Sequence, residues 1–332
     1  MAELTILMPA FNASPYLKEA IESLMYQSYT DFELWLIDDG STDDTLIIAQ
    51  TLATQDSRIV IFKNASNQGK LSSINTRVRA VKSTFFTITD ADDVSHPQRL
   101  EKQIAKLKSD TALMMCGTSY AAMDTDGYII RAVHVSSDLN ALRARSLVQS
   151  AFMGGTMVMR TELLNDFPEL YRPYFNNCME DSDLGCRILD KYAATNLDEL
   201  LYFYRIVPTS LTRGRVTPRS LNIYKLIGEL SKQRRILGKD CLELGEVTIA
   251  DDFMMKIEQA YSQDVILWLH HQSFFYLYWG QHDVAFSTIL KAVAHKPYHI
   301  KTVVVFLLIS MRIALFYLRS AFKKVHYLAL FK

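Results

Sequence analysis

The first hundred residues switch repeatedly between two hydrophobic periods. Short apolar runs, Leu4–Met8, Glu33–Ile37, Arg58–Phe62 and Phe85–Thr89, read as strands. Between them lie stretches with helical spacing. In the first of these, Leu17, Ala20, Ile21 and Leu24 share one face, with Ser14 as the expected N-cap and Pro15 in the first turn. The second is "STDDTLIIAQTLA", with Ser41 or Thr42 as cap and Asp43 and Asp44 at its positive end. A third helix is expected over 72–82. Strand alternating with helix implies right-handed crossovers and a mostly parallel sheet.

Beyond residue 100 the pattern changes. "LMMCGTSYAAMDTDGYIIRAVHV" reads as two strands joined by a turn at Asp124–Gly127. Gly154 and Gly155 precede a short apolar strand, "CMEDSDLGCRILDKY" is an acidic loop entering a helix, and "LLYFYRI" is a late strand. From Leu221 the pattern is helical to the end. "YWGQHDVAFSTILKAVAHKP" looks like one hairpin of a tetratricopeptide-like repeat, but one copy makes no array and reads as local helix packing.

Composition alters this picture in one place. Hydrophobic residues make up 49% and charged residues 22%, as in a folded globular chain, and the net charge is zero. That zero hides an asymmetry. The last 49 residues hold eight Lys or Arg and no acid, which leaves −8 on the rest. Within this tail, "TVVVFLLISMRIALFYL" is broken by Ser310 and Arg312 and is short for a bilayer span. Lys301, Arg312, Arg319 and Lys323 fall on one side of a helical wheel, so the segment is expected to lie on an anionic membrane surface, basic face opposite apolar face. A buried core helix, or a contact between copies of the chain, would use the same pattern. Four scattered cysteines, Cys116, Cys178, Cys186 and Cys241, read as reduced thiols of a cytoplasmic protein, and "MAELTILMPAF" lacks a signal-peptide pattern. Nothing in the pattern points to nucleic acid.

The candidate chemistry lies at the strand ends, where open α/β sheets bind ligands. "PAFN" follows the first strand, "DDGS" the second, "NASNQGK" the third and "DADD" the fourth. Asp90, Asp92 and Asp93 suit a divalent cation, because Mg²⁺ takes few protein carboxylates and completes its shell with water and phosphate. They also suit an acidic turn capping the helix that starts near Pro97. Asp39, placed before Gly40, can accept a base N–H or a ribose hydroxyl. Glu180, Asp181 and Asp183 fit either a helix N-terminus, with an Asp183–Arg187 pair, or a general base that removes a proton from a sugar hydroxyl.

Taken together, "MPAFNASPYLKEAIESLMYQSYTDFELWLIDDGSTDDT", "TDADD" and "MEDSDLGCRI" resemble a family 2 glycosyltransferase over roughly residues 3–215. The resemblance implies a single Rossmann-like, A-type domain with a mixed, mostly parallel sheet. It assigns residues 1–218 to catalysis, split into a nucleotide-binding half (1–95) and an acceptor half (96–218). Residues 219–332 form a helical region. It implies inverting transfer of a sugar from a nucleotide diphosphate, commonly UDP, with Mg²⁺ or Mn²⁺. The acceptor would be a hydroxyl of a cell-surface glycan or lipid-linked saccharide at the cytoplasmic membrane face. By the same resemblance Pro9, Ala10, Phe11 and Asn12 shape the nucleotide pocket, Asp39 faces the base, Asp90 and Ala91 lie near the ribose and Asp92 ligates the metal. Asp181 is the base, Glu180 supports it, and Gly154 and Gly155 line the acceptor side.

Two positions depart from that family. Val207 stands where a metal-binding histidine is common, and Ser73-Ile74-Asn75 replaces an Ala-Arg-Asn. Lys70, or the group Arg213, Arg215 and Arg219, can supply the missing positive charge. A sugar-phosphate nucleotidyltransferase and a non-catalytic nucleotide-sugar-binding scaffold are the alternatives. The first usually has a Gly-rich loop with Arg and Lys near its start, which "MPAFNASPY" lacks.

Overall fold

A computed structural model describes residues 2–176, 178–207, 216–320 and 325–331. Arg213, Arg215, Lys323, Lys324 and Lys332 lie outside these residues, as does the side chain of Arg319. The chain divides into two compact units, one made of Met1–Pro208 with His326–Lys332, the other of Thr209–Val325. The helical region expected over 219–332 stops short of the last residues. The structure instead returns the last residues to the first unit.

The first unit runs β1 (Leu4–Ala10), α1 (Leu17–Met25), β2 (Phe32–Asp38), α2 (Thr45–Gln55), β3 (Ile59–Lys63), α3 (Lys70–Val78), β4 (Phe85–Ile88), β5 (Val94–Ser95) and α4 (Arg99–Ser109). It continues with β6 (Leu113–Met123), β7 (Ile129–Val133), α5 (Leu139–Ser146), β8 (Val158–Arg160), α6 (Leu163–Asp166), α7 (Glu180–Lys191) and β9 (Ala193–Arg205). These strands form one mixed sheet in the order β3-β2-β1-β4-β8-β6-β9-β5, with β7 on β6. The four strands β3, β2, β1 and β4 are parallel, and β8 enters antiparallel on β4.

Both faces of the sheet are covered, as continuous apolar strands require. Alternate residues of β1 point opposite ways. Ile6 and Met8 join Leu17, Ile21 and Leu24 of α1 and Leu100, Ile104 and Leu107 of α4. Leu7 joins Ile74 and Val78 of α3 and Leu184 and Ile188 of α7. The parallel arrangement places the ends of β1, β2 and β4 on one edge.

The expected helix starts are displaced. α1 begins at Leu17 without a side-chain cap, and the Ser14 N–H donates to Asp43 Oδ2 at 3.1 Å. α2 begins at Thr45, and Ser41 Oγ instead accepts the Asn12 N–H at 3.0 Å.

The second unit contains α8 (Pro218–Leu237), α9 (Val247–Gln263), α10 (Val265–Tyr278), α11 (His282–His295) and α12 (Ile300–Ser320). A reciprocal Thr217–Ser220 box and Pro218 start α8. Gly238, at φ 82°, ends it in the left-handed conformation a glycine adopts without strain. Ile266 and Leu269 of α10 pack with Ala285, Ile289 and Ala292 of α11 and Val305 and Ile309 of α12.

Candidate active site

The end of β1 turns sharply at Asn12, a non-glycine residue held at φ 49°. Its side-chain Oδ1 accepts the Thr42 N–H at 2.9 Å, tying the β1 loop to the loop after β2. Pro9 and Ala10 complete β1 beside Ile37 and Asp38, and Phe11 is 45% exposed at the mouth. At β2, Asp38 is fully buried and accepts the Ser41 N–H at 3.2 Å.

Asp39 has a task within the fold as well. Its carboxylate accepts from Asn64 Nδ2 (2.8 Å), the Gln68 N–H (3.0 Å), the Gly69 N–H (2.8 Å) and the Ser73 hydroxyl (3.0 Å). A carboxylate has about four lone-pair directions, two on each oxygen. The structure places three of these donors on Oδ1 and one on Oδ2, so Oδ2 keeps an acceptor direction. It makes Asp39 the organiser of the loop between β3 and α3, which delivers Lys70.

Lys70 is the cation among the carboxylates. Its Nζ lies 2.6 Å from Asp90 Oδ1, with both side chains about a quarter exposed. Burial opposes its charge, but Asp90 and Glu180 more than offset this and hold the ammonium well above its usual range. Ala91 is buried at the apex of the turn. Asp92 is pushed up to about 6, first by burial and then by Asp90. Asp93 is not a ligand-facing group. It is 2% exposed, accepts the Tyr202 hydroxyl and the Arg205 N–H at 2.7 Å each, and so straps the acidic turn to β9.

A second cluster faces this one. Met179, at φ 62°, is the other non-glycine residue with positive φ among the described residues, and it launches α7 with Glu180 and Asp181 in the first turn. Two strained backbone positions at one candidate site suggest that their geometry serves function. Asp181 Oδ2 accepts the Gly154 N–H at 3.1 Å, and Oδ1 accepts the Ser182 N–H at 2.8 Å. Burial raises the Asp181 carboxyl while Lys70 opposes the rise. Burial pushes Glu180 up to about 7, Lys70 opposes this and Asp181 adds to it. Asp183, the third acid, is fully buried between Arg172 and Arg187, with the Arg187 pair at 2.9 Å. It is structural.

The paired glycines explain how the clusters come so close. A Cβ on Gly154 would sit 3.0 Å from Asp181 Oδ2, and one on Gly155 would sit 2.2 Å from the Tyr202 hydroxyl. That hydroxyl also lies 3.3 Å from Thr89 Oγ1 and 3.4 Å from the Asp90 N–H. Gly155→Ala should therefore cost about 1–3 kcal/mol. A thermal melt that matches wild type would remove Tyr202 from its place as a strut.

Sequence reasoning missed Tyr202, Ser73 and Asn75. Asn75 clamps the Tyr171 backbone through both its carbonyl and its amide. Its only signal was its place in the departed Ala-Arg-Asn segment. Arg219 belongs to the second unit, where it pairs with Asp251 at 3.4 Å. Val207 follows β9 and offers no donor atom.

The donor set can be weighed against a divalent cation. No three His, Cys, Asp or Glu side chains among the described residues form a complete cage. A cation that shares its shell with diphosphate needs only one or two carboxylates. Asp92 meets that need. It is half-buried, repelled by Asp90 and in no ion pair with a described Lys or Arg, so the residues fit such a group.

Comparison with known proteins adds lineage to this geometry. Residues 5–167 match the family model for glycosyl transferase family 2. A putative glycosyltransferase, EpsE, of Bacillus subtilis is 32% identical over 205 residues, which cover 61% of this chain and 73% of that protein. Chondroitin synthase of Escherichia coli is 35% identical over 126 residues, 38% of this chain and 18% of the synthase. Among solved structures, S. aureus TarS 1-349 with UDP-GlcNAc superposes with a TM-score of 0.57 at 15% identity, covering 90% of this chain and 93% of that one. The mannosyltransferase PcManGT of Pyrobaculum calidifontis, in complex with GDP-Man and Mn²⁺, gives 0.52 at 15%, covering 97% and 87%.

Proposed function

Because this chain belongs to glycosyl transferase family 2, we propose that it moves a sugar with inversion from a nucleotide diphosphate, UDP first among the candidates, to a hydroxyl of a saccharide or glycolipid acceptor. The observation that supports this reading is the meeting of two carboxylate clusters around Lys70 at one sheet edge.

Each residue has a separate task. Pro9, Ala10, Phe11 and Asn12 wall the nucleotide side, and Asp39 fixes the loop that carries Lys70. Asp90 orients the Lys70 ammonium. Asp92 would hold a divalent cation, which when bound supplies positive charge to the leaving diphosphate. Asp181 takes the proton from the acceptor hydroxyl as its oxygen attacks the anomeric carbon. The bond from that carbon to the diphosphate oxygen breaks, and its electron pair leaves with the nucleotide. A single attack from the opposite side inverts the centre. Glu180 stands beside the base, and the bare backbone of Gly154 lets Asp181 approach the acceptor side.

The test is release of nucleotide from a panel of UDP- and GDP-sugars in the presence of Mn²⁺. Slow hydrolysis or thermal stabilisation by one donor is expected, since a ligand stabilises by mass action. If no donor is cleaved and none shifts the melt, the reading falls. Asp92→Asn should keep the fold and lose metal-dependent UDP binding. Calorimetry with UDP and Mn²⁺ checks this, and unchanged affinity would move the metal to other residues.

A further inference from the structure

α12 is apolar on two opposite faces. On one, Thr302, Val305 and Ile309 are buried, with Phe306 and Ile313 half-buried, against α10 and α11. On the other, Val303, Val304, Leu307, Leu308, Met311, Leu315 and Leu318 are exposed by 38–64%. At about 100° per residue the exposed set fills an arc of roughly 140°, centred about opposite the packed face. Lys301 and Arg312 are exposed along one border between the two faces. This corrects the expected wheel: the basic residues form a seam at the edge of the apolar face, not a face opposite it. Tyr298, 95% exposed, and Tyr317, 54% exposed, mark the two ends.

The segment Ile300–Leu318 is long and apolar enough to cross a membrane, with a mean hydropathy of 2.0. Its packing argues otherwise. A crossing helix would draw α10 and α11 into hydrocarbon, with His271, Gln272 and Lys291 on them. No other helix among the described residues is apolar enough to accompany it. A helix packed on protein along one side and open along the other is suited to lie in the plane of an interface.

Charge selects the occupant. Residues 284–332 contain no acid, so a second copy stacked face to face would bring basic seams together without counter-charges from this segment. An anionic lipid surface supplies those charges. We propose that the open face of α12 seats in the interfacial region of an anionic membrane, with the helix in the plane of the lipid and the Lys301–Arg312 seam at the phosphates.

The test uses the full chain and vesicles of phosphatidylcholine with or without phosphatidylglycerol. Deleting the tail would confuse matters, because Tyr327 beyond α12 packs on Phe203 of the sheet unit. Substitutions at exposed sites avoid this. Wild type should sediment with the anionic vesicles, less so as salt rises. Leu307→Glu and Met311→Glu should each weaken binding about tenfold or more, the worth of one lost apolar burial. Lys301→Ala and Arg312→Ala should each cost about fivefold on anionic vesicles. Ile47→Glu, on α2 and 62% exposed, should change nothing. The double Glu variant must melt as wild type does. No nucleotide sugar is needed, so failure here is distinct from failure of the transfer reaction. The proposal is overturned if wild type ignores anionic vesicles or if the double Glu variant binds as well as wild type. It is also overturned if the protein resists an alkaline wash, which would mean a crossing helix. A lipid-free dimer split by the double variant would likewise assign the face to a second copy.

Discussion

Asp181→Asn should transfer sugar about 100-fold more slowly or worse while binding UDP as before. A sugar hydroxyl is a poor nucleophile until its proton leaves in the transition state, and a positioned base supplies about that factor or more. The substitution keeps shape and one acceptor oxygen, so the Gly154 or the Ser182 N–H retains its partner. What it removes is the basic lone pair. The pH profile offers a second reading of the same site. A carboxylate that carries a proton cannot accept another, and burial raises the Asp181 carboxyl, so wild-type transfer should climb with pH over a range above the usual carboxylate one. The sign for stability is opposite. With its folded pKa raised from 4.5 to about 7, Glu180 favours the folded state in its protonated form. That contribution is full below 4.5 and lost as pH rises through about 7. Near-normal turnover in Asp181→Asn would shift the base to Glu180.

Asp183→Ala should be the most damaging substitution to the fold. Asp183 is fully buried between Arg172 and Arg187, and Arg187 also holds the Leu170 carbonyl at 2.6 Å. Removing the acid leaves two guanidinium groups facing each other in the interior. Breaking a buried pair this way costs about 3–5 kcal/mol. Denaturant unfolding measures it, and a loss below about 1 kcal/mol would mean that solvent reaches the triad. The contrast with Asp181, two residues earlier on the same helix turn, is the useful one. One variant should fold and fail to turn over. The other should fold with a large loss of stability.

The sequence disclosed the strands of the first unit well, because short apolar runs alternating with helical spacing and ending in Pro9, Asp38 and Asp90 fit a parallel sheet. It disclosed the identity of the carboxylates but not their division of labour. Asp39 and Asp93 stand beside Asp38 and Asp92 in sequence, yet each is held by donors far along the chain, Ser73 in one case and Tyr202 in the other. Such roles depend on which loops meet, and no local pattern carries that. The same holds for Ser41, whose hydroxyl accepts from the Asn12 N–H rather than capping α2. β9 ran to thirteen residues where the pattern showed seven, since its polar middle, Asp198 and Glu199, hides the continuity. The two-faced character of α12 was illegible for another reason. A wheel shows which residues share a side, not which side the protein covers.

The return of the last residues to the sheet unit has a consequence for how the protein is made. Tyr327 donates to Glu19 and stacks near Phe203, closing a patch with Val94, Ala121 and Met123. Domains generally fold as units during synthesis, the N-terminal one first. Here the unit begun first is finished last. The whole helical insertion must leave the ribosome before residue 327 exists to cover Phe203. A chain stopped anywhere within the insertion would carry an almost finished catalytic unit with an open apolar wound, which marks it for chaperones or proteases. Closure of the sheet unit is thereby coupled to synthesis of everything up to Tyr327.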